Sequence, residues 1–582
     1  MLIFRFFSAI TLVVLSSCAD FAGKADQAKA ADVSVKVAEP KEKSLQKLEK
    51  TSIDPDVLFM LMTAELAGQR GQFDIAIEGY TEAAKHTHDP KLAERAAMIA
   101  MYIKDGYKTN EAVTLWLSLD SKSLTARKIA ALSALKIGDK KAAAEHLKTM
   151  LAVDVVGFEA ALQELAGVLQ KEGKVGLLYD VLDVLANQSP GQAEIYFMQS
   201  LLAMQMNDKA LAERKIQQAL DIHAGWDKAL MFQAQIPVFS GDLAKAKALL
   251  KDAVNKYPSN AKISKMLAQV YIKSQEYEAA LDVYQGLLAI NAKDWESLFA
   301  EALIYYQLDK NGKAEAIFES LMDQPEWKFQ ALFYRGKLAE KQGDNKQALI
   351  WFDKVEEGSL LFDASVAGIS ILAKDKRFEE ADSRITQLLS RFPKQRPQLI
   401  LVQAELYNQQ KQYERAFNVL TDALLDFPDQ KELLYTRALI AERLDKTALV
   451  EADLKKILAV EPDNVESLNA LGYTLLNQPT RYADAELFLQ RAINLEPNSA
   501  VVIDSYGWLQ FKLGRTEKAL SYLQQAYEKQ QESEIASHLI EVLSKLGRQN
   551  EAKSLLDKAI SEAPNDEYLL NVKRKLFSGS AQ

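Results

Sequence analysis

The sequence predicts an all-α fold in which one helix-turn-helix unit is repeated end to end, and three observations carry that prediction. Ala, Leu, Lys, Glu and Gln dominate, while glycine and proline number only 24 and 14 in 582 residues. Those abundant residues lose little rotamer freedom in a helix, and the β-branched runs that would make strands are scarce. The segment "WESLFAEALIYYQLDKNGKAEAIFESL" (Trp295–Leu321) holds two apolar-periodic stretches around a polar turn, and "KFQALFYRGKLAEKQGDNKQALIWFDKV" repeats its form. Aligning them sets Ala314 against Ala348, and the same 34-residue step runs through Ala212, Ala246 and Ala280. With offsets of 31 to 36 the series extends upstream through Ala76, Ala112, Ala143 and Leu178. Downstream it continues through Ala381, Ala416, Val450, Ala485, Ala519 and Ala552, for about 15 units. A fixed period of this length marks a repeat architecture.

Each position in the period has a packing reason. A small residue early in the second helix (Ala280, Ala314, Ala519) lets it approach the first. Four positions on, Tyr284, Phe318, Phe352 or Leu523 fills the gap between the pair. Another small or apolar residue (Ala219, Ala253, Ala423, Ala492, Ala526, Ala559) faces the following unit. Pro258, Pro393, Pro428, Pro462, Pro497 and Pro564 then stop the helix, since proline has no amide and disfavours helix in the residue before it. In the first helix, Gly336, Gly472 and Gly507, or Ala268 and Ala302, mark the matching close approach. The pattern resembles the tetratricopeptide repeat, which implies a right-handed α-solenoid closed by a C-terminal capping helix, "NDEYLLNVKRKLF". Departures are expected at four places. Pro237 is expected to shorten or kink a first helix, and "LLNQPTRYADAE" carries an extra turn residue at Pro479. Leu178 and Val450 replace the small residue and are expected to loosen their units.

The amino terminus reads differently. Arg5 precedes the apolar stretch Phe6–Leu15, which as a helix would span about 15 Å, half a bilayer core. That is the h-region of a secretory signal, not a membrane span. Leu15-Ser16-Ser17-Cys18 resembles the lipobox of bacterial lipoproteins, and Cys18 is the only cysteine. The resemblance implies cleavage before Cys18 and a covalent lipid on it, the one cofactor-like group expected. Ala19, not aspartate, follows the cysteine, which points to outer-membrane sorting with the chain on the periplasmic face. Residues 18–52, in which "KADQAKAADVSVKVAEPKEKSLQKLEK" alternates small and charged residues without aromatics, are expected to be a disordered tether, with a root-mean-square span of about 30 Å. The expected organisation is a signal peptide at 1–17, this tether, the repeat array at 53–564, and a capping helix and tail at 565–582.

Composition excludes several function classes. A net charge of −9, with both signs dispersed, argues against a nucleic-acid partner, which needs clustered Lys and Arg. One cysteine excludes a disulfide framework and a cysteine-built metal site. There is no phosphate-cradling glycine loop, no Gly-x-Ser-x-Gly elbow and no His-Glu-x-x-His. The histidines are His86, His88, His146, His223 and His538, and the turn "KHTHDP" reads as solvated, not metal-binding. The acidic pairs Glu356-Glu357 and Glu379-Glu380 read as exposed helix-end charges. No catalytic residue, metal site or further cofactor is expected.

Function is then expected in a surface. Stacked units would line a groove with their first helices, and the positions facing it include Phe197, Leu201, Met204, Met231, Phe299, Leu303 and Tyr306, then Phe333, Tyr435, Leu439, Trp508 and Phe511. Large apolar side chains there suggest capture of protein or peptide, the alternative being that neighbouring units cover them.

Two stretches carry a closer resemblance. Ala64–Ala96, "AELAGQRGQFDIAIEGYTEAAKHTHDPKLAERA", is similar to the amino-terminal signature of a family of proteobacterial outer-membrane lipoproteins. "NALGYTLL" (Asn469–Leu476) and "DSYGWLQFKLGRTEKAL" (Asp504–Leu520) are similar to its carboxy-terminal signature. That family includes the lipoprotein partner of a periplasmic carboxy-terminal processing serine protease. The resemblance implies an adaptor that binds the protease and delivers peptidoglycan hydrolases to it. Competing expectations are an assembly scaffold or pilotin for pilus, secretion or exopolysaccharide machinery, a glycan-binding scaffold, and, most distantly, an enzyme.

Overall fold

A computed structural model describes residues 54–577. Among these residues the secondary structure is helical throughout, thirty-one α-helices with two short 3-10 helices, Pro393–Gln395 and Pro479–Arg481. The α-helices pair in sequence into fifteen hairpins, from Pro55–Gln69 with Phe73–Thr87 to Ser533–Lys545 with Gln549–Glu562, and Glu567–Phe577 closes the series. Tertiary contacts divide the chain into two compact units at Ala224 and Gly225. The first unit contains five of the hairpins, and the second contains ten and the final helix.

Each hairpin is made by the same local devices. In fourteen of the fifteen, the turn after the first helix holds one residue in the left-handed region, for example Gly71 (φ 74°), Asn207 (φ 59°), Gln275 (φ 61°) and Gly514 (φ 77°). That conformation closes the helix with a pair of reversed hydrogen bonds: Asp105 N donates to Ala100 O at 3.0 Å while Lys104 N donates to Met101 O at 3.0 Å. The exception is the hairpin at 465–495, where the 3-10 turn Pro479–Arg481 occupies the connection. The extra residue read from the sequence is therefore accommodated as a short helical turn. The second helix often starts on an aspartate cap, as where Asp208 accepts from Leu211 N at 2.9 Å and Asp242 from Lys245 N at 3.0 Å. Each proline of the expected set falls two residues past a second helix, as with Pro258 after Lys256 and Pro462 after Val460.

Packing follows the small-residue positions. Ala212, Ala246, Ala280, Ala314, Ala348, Ala485 and Ala519 are all fully buried. At the opposing glycines the tolerance is smaller than a methyl group. A Cβ at Gly472 would lie 2.5 Å from Leu489 Cγ, and one at Gly336 would lie 2.5 Å from the Phe352 ring. Leu489 and Phe352 are the gap-filling residues four positions past Ala485 and Ala348, so glycine and filler are complementary parts of one crossing. Polar pairs recur at the helix interfaces as well. Gln199 Nε2 donates to Asp183 at 3.0 Å, Gln403 Nε2 to Asp382 at 2.8 Å, and Tyr506 Oη to Gln490 at 2.6 Å. Arg437 grips the buried Asp453 in two-pronged fashion at 2.8 and 2.7 Å.

The expected departures divide. Leu178 is fully buried, and its helix Val175–Gln188 packs mainly on Lys140–Val153 and only lightly on its own hairpin partner Val155–Lys171. Leucine at the crossing position spreads that hairpin, as expected. Val450 does not: its helix packs on Lys431–Arg443 as closely as in neighbouring hairpins. Valine adds less length at the crossing, and Val450 lies within the core. Pro237 does not shorten its helix, which runs Asp227–Phe239 at 13 residues, the length of Ala261–Lys273. The proline sits in the last turn, where only one helix hydrogen bond is forfeited. The expected signal peptide and tether, with Cys18, lie outside the described residues.

Glycine substitutions separate the two backgrounds. Gly472→Ala is expected to destabilise the chain by about 1–3 kcal/mol through overpacking against Leu489. Gly286→Ala, at an exposed helical site with open space around it, is expected to stabilise by about 0.5–1 kcal/mol. Chemical denaturation followed by circular dichroism reads both, and equal signs would refute the crossing argument.

Candidate functional site: an apolar surface and a polar cluster

None of the twelve side chains expected to line a groove is freely exposed. Phe197, Phe299, Leu303, Phe333 and Trp508 are buried, and Leu201, Met204, Met231, Tyr306, Tyr435, Leu439 and Phe511 are half-buried. The reason is mutual cover by neighbouring helices. The Phe299 ring lies 5.2 Å from Trp327, 5.5 Å from Tyr334 and 6.1 Å from Phe318, and Phe333 lies 5.7 Å from Phe352. Tyr306 packs 6.2 Å from Tyr334 with the Lys341 ammonium 4.6 Å over its ring. Five of the twelve are core in this structure and seven keep part of their surface, and one set of more exposed apolar side chains lies elsewhere.

It lies on the first two hairpins. Helix Pro55–Gln69 exposes Leu58, Phe59, Met62 and Leu66, the last three of which lie three and four residues apart along one helical stripe. Helix Pro90–Tyr102 adds Met98 and Tyr102, and Phe59 and Tyr102 are 72% and 75% exposed. A cleft of about 360 Å³ opens here, lined by Ala64, Glu65, Gly68, Phe73, Tyr80, Arg95, Met98 and Tyr102 among others. Phe73 and Tyr102 meet edge to face at 5.5 Å. At its floor Tyr80 donates to the Glu65 carboxylate, and Arg95 stands 3.8 Å from the same carboxylate. The Tyr80 hydrogen bond holds the Glu65 carboxyl below its ordinary range, and burial together with Glu65 pushes the Tyr80 phenol up. Most of the cleft falls inside Ala64–Ala96, the stretch singled out from the sequence. The groove positions inferred from the repeat phase missed it, because that reading began downstream at Phe197. The signal available was the spacing of Leu58, Met62 and Leu66.

The two carboxy-terminal stretches also come together. Tyr473, on Val465–Leu475, and Asp504 and Trp508, on Ala500–Lys512, meet around His538 of Ser533–Lys545. His538 is 5% exposed, with Nδ1 at 3.0 Å from both Asp504 carboxylate oxygens. Its Nε2 lies 3.3 Å from Tyr473 Oη, which donates its own proton to Glu534 at 2.7 Å. Both ring nitrogens therefore face acceptors, the arrangement of an imidazolium. Burial alone would depress the His538 pKa, but the Asp504 charge and hydrogen bonds outweigh it and the net shift is upward. The Trp508 ring stacks on the imidazole at 4.1 Å and 18°. Nearby, burial raises the Glu442 carboxyl, which accepts from Thr474 at 3.2 Å, and pushes the Tyr435 phenol up to about 12. By sequence His538 is one of five histidines with no assigned role, although it follows Asp504 by 34 residues, one repeat period.

A raised histidine pKa fixes the sign of a pH effect. The extra stability is fully present below the ordinary histidine value of about 6.5 and is lost as pH rises through the higher folded-state value. Asp504→Asn leaves a buried imidazolium without its counter-charge and is expected to cost about 3 kcal/mol. In that variant stability at neutral pH should improve as pH rises, opposite to the parent. Denaturant titrations at pH 6 and 9, with His538 followed by NMR, check both, and identical pH profiles would refute the pairing.

Comparison with known proteins bears on the repeats. Models described as tetratricopeptide repeat match residues 240–303 and 510–576, and a second such model matches 299–359. The chain is 29% identical over 490 residues to the TPR repeat-containing protein PA4667 of Pseudomonas aeruginosa, covering 84% of this chain and 82% of that protein. Among solved structures, TTC0263, a TPR protein of Thermus thermophilus, is 25% identical with a TM-score of 0.28, covering 31% of this chain and 96% of its own. A tetratricopeptide repeat protein of Parabacteroides merdae is 22% identical with a TM-score of 0.31, covering 42% and 98%. Residues 240–359 and 510–576 thus match the tetratricopeptide repeat, and the fifteen hairpins, set in one sequence phase, give the described residues the all-α architecture of such an array.

Proposed function

We propose that this chain is a membrane-anchored adaptor in the periplasm, which binds a carboxy-terminal processing serine protease and promotes proteolysis of peptidoglycan hydrolases without catalysing anything itself. The observation that carries this reading is the exposed apolar surface of the first two hairpins, together with a cleft that falls mostly within the stretch resembling the amino-terminal signature of that lipoprotein family. Exposed apolar side chains, among which Met98 and Tyr102 line a cleft, are features of a protein-binding surface. Similarity to the Pseudomonas protein along most of both chains supports the repeat-array part of this reading, and the meeting of Asn469–Leu476 with Asp504–Leu520 in one cluster joins the two stretches that carry the carboxy-terminal resemblance. In this reading a lipid on Cys18 holds the array at the outer membrane, and residues 18–52 set its reach. Holding a protease and its substrate on one scaffold raises their effective concentration, which is how an adaptor with no active site accelerates cleavage.

Two experiments test it. The chain starting near Ser52 is expected to co-purify with the periplasmic protease and to speed degradation of a wall hydrolase in a purified mixture. Phe59→Asp and Tyr102→Asp, both at exposed sites, should weaken capture at least about tenfold while leaving the thermal melt unchanged. No binding to any such protease ends the adaptor reading, and capture of a secretin or pilus component instead would favour an assembly scaffold. Separately, Cys18→Ser is expected to abolish palmitate incorporation and release the chain from the membrane fraction. Retained label would remove the anchor.

A further inference from the structure

The first helix of the array has two apolar faces. Val57, Ala64 and Ala67 of Pro55–Gln69 are buried, and the helix packs on Phe73–Thr87. On its opposite side Phe59 is 72% exposed, and Leu58, Met62 and Leu66 are about half exposed (45%, 56% and 47%). A helix that is apolar all round is a buried one in a soluble protein. End helices of a repeat array need a polar outer face, and the last helix, Glu567–Phe577, has one. There Leu569 and Val572 are buried while Glu567, Asn571, Arg574 and Lys575 are exposed. The first helix lacks such a face, so its stripe calls for cover.

The charges at the two ends of the stripe select the occupant. Asp56 precedes it and Arg70 follows it, and both are exposed. Among the described residues neither the Asp56 carboxylate nor the Arg70 guanidinium has an ion pair or a side-chain hydrogen bond. Counted at 3.6 residues per turn, both lie on the flank of the stripe that carries Phe59. An apolar stripe with an acid before it and a base after it, on one flank, is complementary to itself run backwards. A two-fold axis beside Met62 and Thr63 sets Phe59 of each copy opposite Leu66 of the other, and Asp56 opposite Arg70 at both ends. A parallel pair sends the two flanks to opposite sides and forms neither ion pair. The helix itself bears Asp56 and Glu65 and no Lys or Arg, which disfavours an anionic lipid surface. We propose that Pro55–Gln69 pairs antiparallel with the same helix of a second copy of this chain. Such a pair buries on the order of 400–600 Å² per copy, at the lower edge of specific interfaces, so the dimer is weak and reversible. Phe59 also belongs to the surface assigned to protease capture. Where that adaptor reading holds, copy and protease compete for one face, and pairing keeps unoccupied adaptors covered; the pairing itself does not rest on that reading.

Sedimentation velocity of the chain from Ala19, over a dilution series and with no protease present, tests the pairing. The parent should show a reversible monomer–dimer equilibrium, and Phe59→Asp should raise its dissociation constant at least about tenfold. Asp56→Lys and Arg70→Glu should each raise it about threefold or more, because each sets like charges together at both ends of the seam. An equimolar mixture of those two variants restores opposite charges at both ends and should return the constant to the parent value. Tyr102→Asp, off the stripe, should leave the equilibrium unchanged although it is expected to weaken capture, so a failed pairing and a failed adaptor reading are told apart. A parent that stays monomeric at every concentration overturns the proposal. That holds even if removing residues 19–51 turns the monomer into a dimer, since the upstream chain would then be the cover. A dimer that survives Phe59→Asp, or a mixture that shows no recovery, overturns it as well.

Discussion

Everything in this chain depends on how closely two helices of a hairpin approach at one crossing. A fully buried alanine early in the second helix, a glycine or alanine opposite, and an aromatic or leucine four residues on make a joint with no spare volume. Close packing of this kind fixes the angle between the helices, and repetition of the joint brings each hairpin to the next with the same face forward. The hairpin at 155–188 shows the dependence by its failure. With Leu178 at the crossing, the second helix leaves its partner and packs on the preceding hairpin instead.

Turn chemistry supplies the other constraint. A left-handed residue recurs at the same place in nearly every hairpin, although glycine fills it only about half the time, and Lys104, Asn207, Gln275, Asp309, Lys376, Lys411 and Asp445 take it otherwise. A side chain there costs about 1 kcal/mol or more, a strain sustained because the helices on either side leave the backbone no alternative. Lys411 is one of these residues, so the turn that closes a hairpin also presents the ammonium group that receives Glu567.

The two surfaces suggest a division of labour along the array. The first unit carries exposed apolar side chains, Met62 among them, and a cleft lined in part by Met98, both methionines being flexible and polarizable. The second carries a buried charged cluster in which His538, Asp504, Tyr473 and Glu534 satisfy one another. Such a network contributes specificity of arrangement more than stability, because a single misplaced group leaves a buried charge unpaired.

The repeat, its fifteen hairpins, its proline stops and its closing helix were legible from residue types alone, because helix period and crossing size act locally and recur. The division into two units at Ala224 was not legible, since the 34-residue phase runs unbroken from Ala212 to Ala246 across it. Nor was the burial of Phe299, Phe333 and Trp508, which are groove positions by phase but are covered by rings arriving from other helices. The meeting of Glu567 with Lys411 likewise joins residues 156 apart, off the repeat period, and that of His538 with Asp504, though one period apart, depends on two side chains turning toward each other between hairpins. Sequence by itself determined what each hairpin is, because that rests on contacts within some thirty residues. Only the tertiary structure decided which faces stay open, because exposure depends on what distant helices bring against them.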